Sequence, residues 1–226
     1  DLAWCNLRQD NLRDGTSREL CNPRIPSGDF SEKKHKAFLT QFVSYFWTFL
    51  YRRDFLMQNA LRFPGTWSSE DTCFLTCCIL AARRIACVEK PLYHYVLRSR
   101  SLSTKVDPEK YKQKLTSFDA LLGYAHRYDL YDKYKPETDF IYIKKAFLMA
   151  AQTYVDNELK PDRAVLKDLH RTLEQQVPDY ASNPYLKRNL KARLMTRWIA
   201  KRPGLAIRLL RRRSGSGCPF LLCPQP

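Results

Sequence analysis

Ser69-Glu70-Asp71-Thr72-Cys73-Phe74-Leu75-Thr76-Cys77-Cys78-Ile79-Leu80-Ala81-Ala82 places two adjacent carboxylates ahead of an apolar run. Phe74, Leu75, Cys78, Ile79 and Ala82 recur at helical spacing, Ser68 or Ser69 is available as N-cap, and Glu70 and Asp71 fall in the first turn. The stretch therefore predicts a helix over 69–82 that presents its acids at the N-terminal end.

Outward from this helix the pattern is mixed. Upstream, Leu61-Arg62-Phe63-Pro64 and Gly65 force a loop, and Arg53 to Ala60 reads as one or two helical turns. An aromatic strand is expected through Phe46, Trp47, Phe49 and Leu50, after a short helix from about Phe30 to Phe42. Residues 1–6 read as a strand, and Asp10 to Gly28 as a polar connection with its turn at Asp14-Gly15. Downstream, Arg84 to Val88 and Leu92 to Val96 read as two short β segments flanking Pro91. After Asp107-Pro108 every longer segment has a helical period: Tyr111, Leu115, Phe118, Leu122 and Ala125; then Phe140, Ile143, Phe147, Ala150 and Tyr154; then Val165, Leu169 and Leu173. The expected class is α/β. Residues 1–106 form a mixed sheet with helices, 107–184 a helical appendage, 185–213 a basic amphipathic helix and 214–226 a loose tail rich in Ser, Gly and Pro.

Four motifs in order carry a family likeness: Tyr51-Arg52-Arg53-Asp54-Phe55-Leu56, Leu61-Arg62-Phe63-Pro64, Ser69-Glu70-Asp71, and Pro91-Leu92-Tyr93-His94-Tyr95-Val96-Leu97-Arg98 with Ser101-Leu102-Ser103. Over roughly residues 1–104 this order resembles the acceptor-side half of family 2 glycosyltransferases, enzymes of the GT-A fold. The resemblance implies a partial GT-A-like sheet and inverting transfer of a sugar from a nucleotide diphosphate to an acceptor hydroxyl, in cell-surface polysaccharide or glycolipid synthesis. It implies Asp71 as general base, with Glu70 orienting substrate or the metal shell. Such chemistry needs one carboxylate beside the acceptor hydroxyl, opposite the leaving diphosphate, and a helix N-terminus favours its ionised form. The same two acids after a serine are also ordinary helix-start chemistry.

Arg98, Ser101 and Ser103 fit a loop that closes over the diphosphate, where guanidinium and hydroxyl donors meet the charge growing on the leaving oxygen. A solvated Arg/Ser loop after an edge strand is the plainer reading. Trp47 and Tyr95 complete the expected substrate-binding set. The family holds Mg²⁺ or Mn²⁺ on the diphosphate through an Asp-x-Asp element, and no Asp-x-Asp occurs in the 226 residues. The ligands of that cation are thus expected outside this chain, which reads as the C-terminal portion of a longer enzyme and would transfer little sugar alone.

The composition, 44% hydrophobic and 13% aromatic, is that of a packed globular chain rather than a disordered one. The eight cysteines form no paired Cys-x-x-Cys elements and the four histidines are scattered, which argues against a zinc site. Cys73, Cys77 and Cys78 read as buried reduced thiols, favouring a reducing compartment. His94 alternates with Tyr93 and Tyr95 on its strand, whereas His35, His126 and His170 lie in helical polar contexts. The longest apolar run is too short to span a bilayer. The expected location is cytoplasmic, at most peripheral on the inner face of the cell membrane.

Charge is unevenly spread. From Tyr185 to the end there are eleven basic residues and no acid, against a whole-chain net charge of +16. Leu190, Leu194, Met195, Trp198 and Ile199 interleave with Lys191, Arg197 and Lys201, and Pro203-Gly204 breaks the run in two. A basic amphipathic helix with Trp at its boundary suits an anionic membrane surface, with Lys191, Arg197, Trp198 and Lys201 as the contact set. Packing of the apolar face on the preceding helices is the alternative. No nucleic-acid module accompanies the charge, so nucleic acid is not an expected partner. The rival to a sugar transferase is a non-enzymatic basic adaptor that docks on an anionic membrane or a protein partner.

Overall fold

The spine of the sheet is β1 (Leu2–Asn11), which has partners along both edges. The computed structural model describes residues 1–12, 14–42, 44–97, 107 and 109–211. On one edge β1 runs parallel to β5 (Arg84–Leu97) over its whole length. The other edge is shared by two antiparallel strands, β4 (Phe49–Tyr51) along Leu2–Trp4 and β2 (Ser17–Leu20) along Leu7–Asp10. A two-residue β3 (Gly28–Asp29) closes the far side of β5. The result is a mixed sheet in an α/β chain.

Several expected boundaries shift. The first strand does not stop at residue 6 but continues to Asn11, because β2 and β5 satisfy its backbone on both sides. The connection from Asp10 to Gly28 is not all loop, since it contains β2. The Asp14-Gly15 turn is present: Gly15 takes φ +68°, and Asp14 Oδ1 accepts from the Thr16 N–H at 2.9 Å. The two β segments flanking Pro91 are one strand. Glu89 and Lys90 are extra residues between the Cys5–Val88 and Asn6–Pro91 pairs, so the proline sits at an irregularity that needs no ladder N–H. Asn6 Nδ2 donates to the Glu89 carbonyl there at 3.2 Å. Phe46–Thr48 is a 3₁₀ turn rather than strand, and the strand begins at Phe49.

Helix α1 (Glu32–Leu39) covers the sheet through Phe38, whose ring centre lies 4.7 Å from that of Trp4. After α2 (Arg53–Gln58), helix α3 (Glu70–Ala81) is buried all round from Thr72 to Leu80, as its near-continuous apolar sequence requires. Helix α4 (Lys110–Arg127) packs on α3, and α5 (Lys135–Ile141) continues through a π-helical segment, Tyr142–Leu148, into α6 (Met149–Asn157). Then come α7 (Arg163–Gln176), α8 (Pro184–Arg188), α9 (Leu190–Lys201) and α10 (Pro203–Arg211). One apolar core runs from Leu2 through α3 to Leu210, across the boundary expected near residue 106.

His35 is buried among aromatic rings, whereas His170 is buried with polar partners, Tyr180 and Glu174. His35 stacks on Phe30 and Tyr134, and His170 Nε2 lies 2.9 Å from the Tyr180 hydroxyl. Of the 185–213 segment, the described residues 185–211 divide into parts of α8, α9 and α10 rather than forming one helix, with the second break at Arg202–Pro203.

Candidate active site

The acidic pair opens α3 as the sequence predicts, with Glu70 and Asp71 half-buried at its first turn. Ser69 occupies the N-cap position but does not cap. It adopts φ +68°, and its hydroxyl instead accepts from Lys114 Nζ at 3.1 Å. Asp71 takes over local satisfaction, its Oδ1 accepting from the Thr72 N–H at 2.6 Å. The loop that delivers these residues is fastened to α4. Ser117 Oγ donates to the Ser68 carbonyl at 2.7 Å and shares a short hydrogen bond with the Thr66 hydroxyl.

Two buried lysines flank the carboxylates. Lys114 is only 7% exposed and Lys145 only 8%. Lys145 Nζ donates to Ser44 Oγ at 2.5 Å and lies 3.6 Å from the centre of the Phe42 ring. Burial pushes the Lys145 ammonium down to about 7, helped by the positive charge of Lys144 and opposed by Asp71. Burial also lowers Lys114, with Lys110 adding to the effect and Asp71 and Glu70 opposing it. The negative charge of Asp71 therefore reaches both amines, although neither forms a direct ion pair with it among the described residues.

An aromatic shelf adjoins this cluster. Trp47 stands 4.2 Å from Tyr93 and 5.1 Å from Tyr95 between ring centroids, and Tyr45 lies 4.8 Å from Trp47 and 5.6 Å from Tyr95. Tyr93 and Tyr95 share one face of β5 by strand alternation, and Tyr93 is 39% exposed. Burial raises the Tyr45 hydroxyl, and the charges of Tyr95 and Asp71 raise it further. Trp47 and Tyr95, expected as substrate contacts, thus meet each other and lie next to a tyrosine whose titration Asp71 influences. Arg98, Ser101 and Ser103 lie outside the described residues.

Glu70 and Asp71 act on buried ammonium groups, and no three His, Cys, Asp or Glu side chains among the described residues are grouped to hold a metal ion. What the arrangement offers is a carboxylate proton acceptor, amine donors close by and flat apolar rings beside them.

Lys114, Lys145 and Tyr45 escape a reading by helical period or motif, and Tyr93 stands in a quoted motif with no role assigned to it. The period assigns Phe140, Ile143 and Phe147 to one inward face, which leaves Lys145 off it. The π-helical turn widens the register and brings Tyr142, Ile143, Lys145, Ala146 and Phe147 all inside. The available signal is a lysine pair, Lys144-Lys145, inside an otherwise apolar run.

The expected membrane set is distributed differently. Lys191, Arg197 and Lys201 are exposed, while Trp198 is half-buried against the core. The apolar stripe of α9, Ala192, Met195 and Ile199, is buried, so the outward side of the helix is mainly cationic. None of the described helices is long and apolar enough to cross a membrane.

No family model, curated protein or solved structure matches the chain. The likeness to family 2 glycosyltransferases therefore rests on the motifs alone.

Proposed function

We propose that this chain supplies the acceptor side of an inverting glycosyltransferase that moves a sugar from a nucleoside diphosphate to a hydroxyl of a glycan or glycolipid. The observation that carries the reading is the Tyr45–Trp47–Tyr95 shelf, which follows directly on Ser44, the partner of the buried Lys145 amine that feels the charge of Asp71. Aromatic rings offer a flat apolar surface for the C–H face of a pyranose, and a carboxylate beside them accepts the proton of its hydroxyl. Lys114 and Lys145 lend positive charge or N–H donors to a reaction in which negative charge moves onto the leaving group. In this reading, residues outside the chain hold the nucleotide diphosphate and its Mg²⁺ or Mn²⁺, since no Asp-x-Asp occurs within it. The proposed setting is the cytoplasmic side of a membrane, with the protein soluble or peripheral.

Saturation-transfer NMR with the methyl glycosides of glucose, galactose, rhamnose and N-acetylglucosamine tests the shelf. Contacts should appear for at least one glycoside, disappear in Trp47→Ala and survive in Asp71→Asn. Absence of contact for all four would remove the sugar reading.

The second reading is a basic adaptor, favoured by the outward cations Arg197 and Lys201. An adaptor would float with anionic liposomes and show no glycoside contact.

A further inference from the structure

The cleft between the start of α7 and the junction of α9 with α10 has a volume of about 500 Å³. Arg163, Lys167, Lys201, Arg202 and Arg208 line it together with Pro203, Gly204 and Leu205, and no carboxylate among the described residues does. None of the five cations forms an ion pair with a described acid. The two acids nearest in sequence are engaged elsewhere: Asp162 accepts from the Ala164 N–H at 2.8 Å, and Asp168 pairs with Arg171 at 3.0 Å.

Five like charges around one cavity repel each other. The chain bends at Arg202, a non-helical residue, and Pro203 starts α10 without an N–H, so the last turn of α9 and the first of α10 meet beside Arg163. Gly204 makes that approach close. A Cβ there would lie 3.2 Å from Arg163 Nε, so the guanidinium rests against bare backbone rather than against an acid. Guanidinium groups pair with phosphoryl oxygens through parallel hydrogen bonds, lysines add point charge, and the first turn of α10 adds the positive end of a helix.

We propose that this cleft binds a phosphate-bearing anion with at least two adjacent phosphoryl charges. Its source is either a free diphosphate compound or the diphosphate headgroup of a lipid. The inference is independent of the sugar-transfer reading, because the cleft shares no residue with the Asp71 cluster.

Calorimetric titration with sodium pyrophosphate at physiological salt tests the proposal. Saturable one-to-one binding is expected, weakened about tenfold or more in Arg163→Ala/Lys201→Ala and in Arg208→Ala, as loss of charge-assisted contacts implies. A control pair with the same loss of charge outside the cleft, Lys187→Ala/Arg197→Ala, should bind almost as the parent does. All substituted side chains are exposed, and circular dichroism checks that the folds match. Co-sedimentation with phosphatidylcholine vesicles, plain or carrying a polyprenyl diphosphate, assigns the source. Diphosphate-dependent sedimentation that pyrophosphate competes away indicates the headgroup, and pyrophosphate binding without sedimentation indicates the free anion. Equal weakening in cleft and control variants, or no saturable binding of either probe, would overturn the proposal.

Discussion

Lys145 Nζ donates to Ser44 Oγ at 2.5 Å, joining the π-helical turn to a residue 101 positions earlier, immediately ahead of the aromatic shelf. The contact holds a nearly buried amine beside the Phe42 ring and within electrostatic reach of Asp71. Burying an ammonium is costly, and its position next to the acidic helix start links the stability of the fold to the state of the candidate site.

Stability should rise with pH on the alkaline side of neutrality. Lys145 titrates near 7 in the fold against 10.5 when unperturbed, so between these values the unfolded chain binds more protons than the folded one. Its contribution therefore improves as pH rises above about 7, and below that the full cost of the buried charge is present. Lys114 acts with the same sign. His35 and His170, both lowered by burial, destabilise as pH falls below 6.5, and the raised buried thiols act with the opposite slope above 9. Urea denaturation between pH 7 and 8.5 should show the slope in the parent and a shallower one in Lys145→Met. That variant should gain about 1–3 kcal/mol at pH 6 by removing a buried charge. An unchanged slope in Lys145→Met would assign the pH dependence to other groups.

Asp71→Asn should pull Lys145 and Lys114 down further, because Asp71 favours the charged form of both. Carbon-13 NMR titration of lysine Cε resonances reads the shift directly. Global stability should change by less than about 1 kcal/mol, the value of one acid in a first helical turn. A lysine titration that ignores the substitution would separate Asp71 from the amine cluster.

The helical start at Glu70 is legible because local rules agree there: a serine, two first-turn acids and an apolar run of the right length. The join of Arg84–Val88 to Leu92–Val96 is not, since Pro91 reads locally as a breaker and only the β1 partner absorbs the extra residues as irregularities. Tyr95 stands out in the sequence within its motif and Trp47 within an aromatic run, but Tyr45 joins them only through the 3₁₀ turn and Tyr93 only through strand alternation. Lys145 illustrates the general limit. A regular 3.6-residue period cannot register a π turn, and the turn is what buries the amine.

The cysteines of α3 should be chemically silent in the folded protein. Burial pushes Cys77 up to about 12, and Cys73 and Cys78 are also raised by burial. Cys21 is exposed. Brief iodoacetamide treatment at pH 7.5, read by peptide mass spectrometry, should label Cys21 and leave the three α3 thiols unmodified until denaturant is added. Labelling of Cys77 before Cys21 in native buffer would show that α3 opens without global unfolding.

Ser117→Ala should loosen the start of α3 selectively. Ser117 is fully buried, and its hydroxyl bridges α4 to the Ser68 carbonyl and the Thr66 hydroxyl. With Ser117 donating to Ser68, Thr66 is free to donate to Ser117, so one side chain satisfies two groups of the loop. Alanine leaves both without that partner, a cost of about 1–3 kcal/mol when such groups stay buried. Because the lost bonds lie next to Ser69, the first turn carrying Glu70 and Asp71 should open before the rest of the core. Hydrogen exchange should accelerate in residues 66–72 while α7, which packs on α9 and α10, keeps its protection. Uniform acceleration across both regions would mean that the hydroxyl supports the whole fold rather than clamping this one loop.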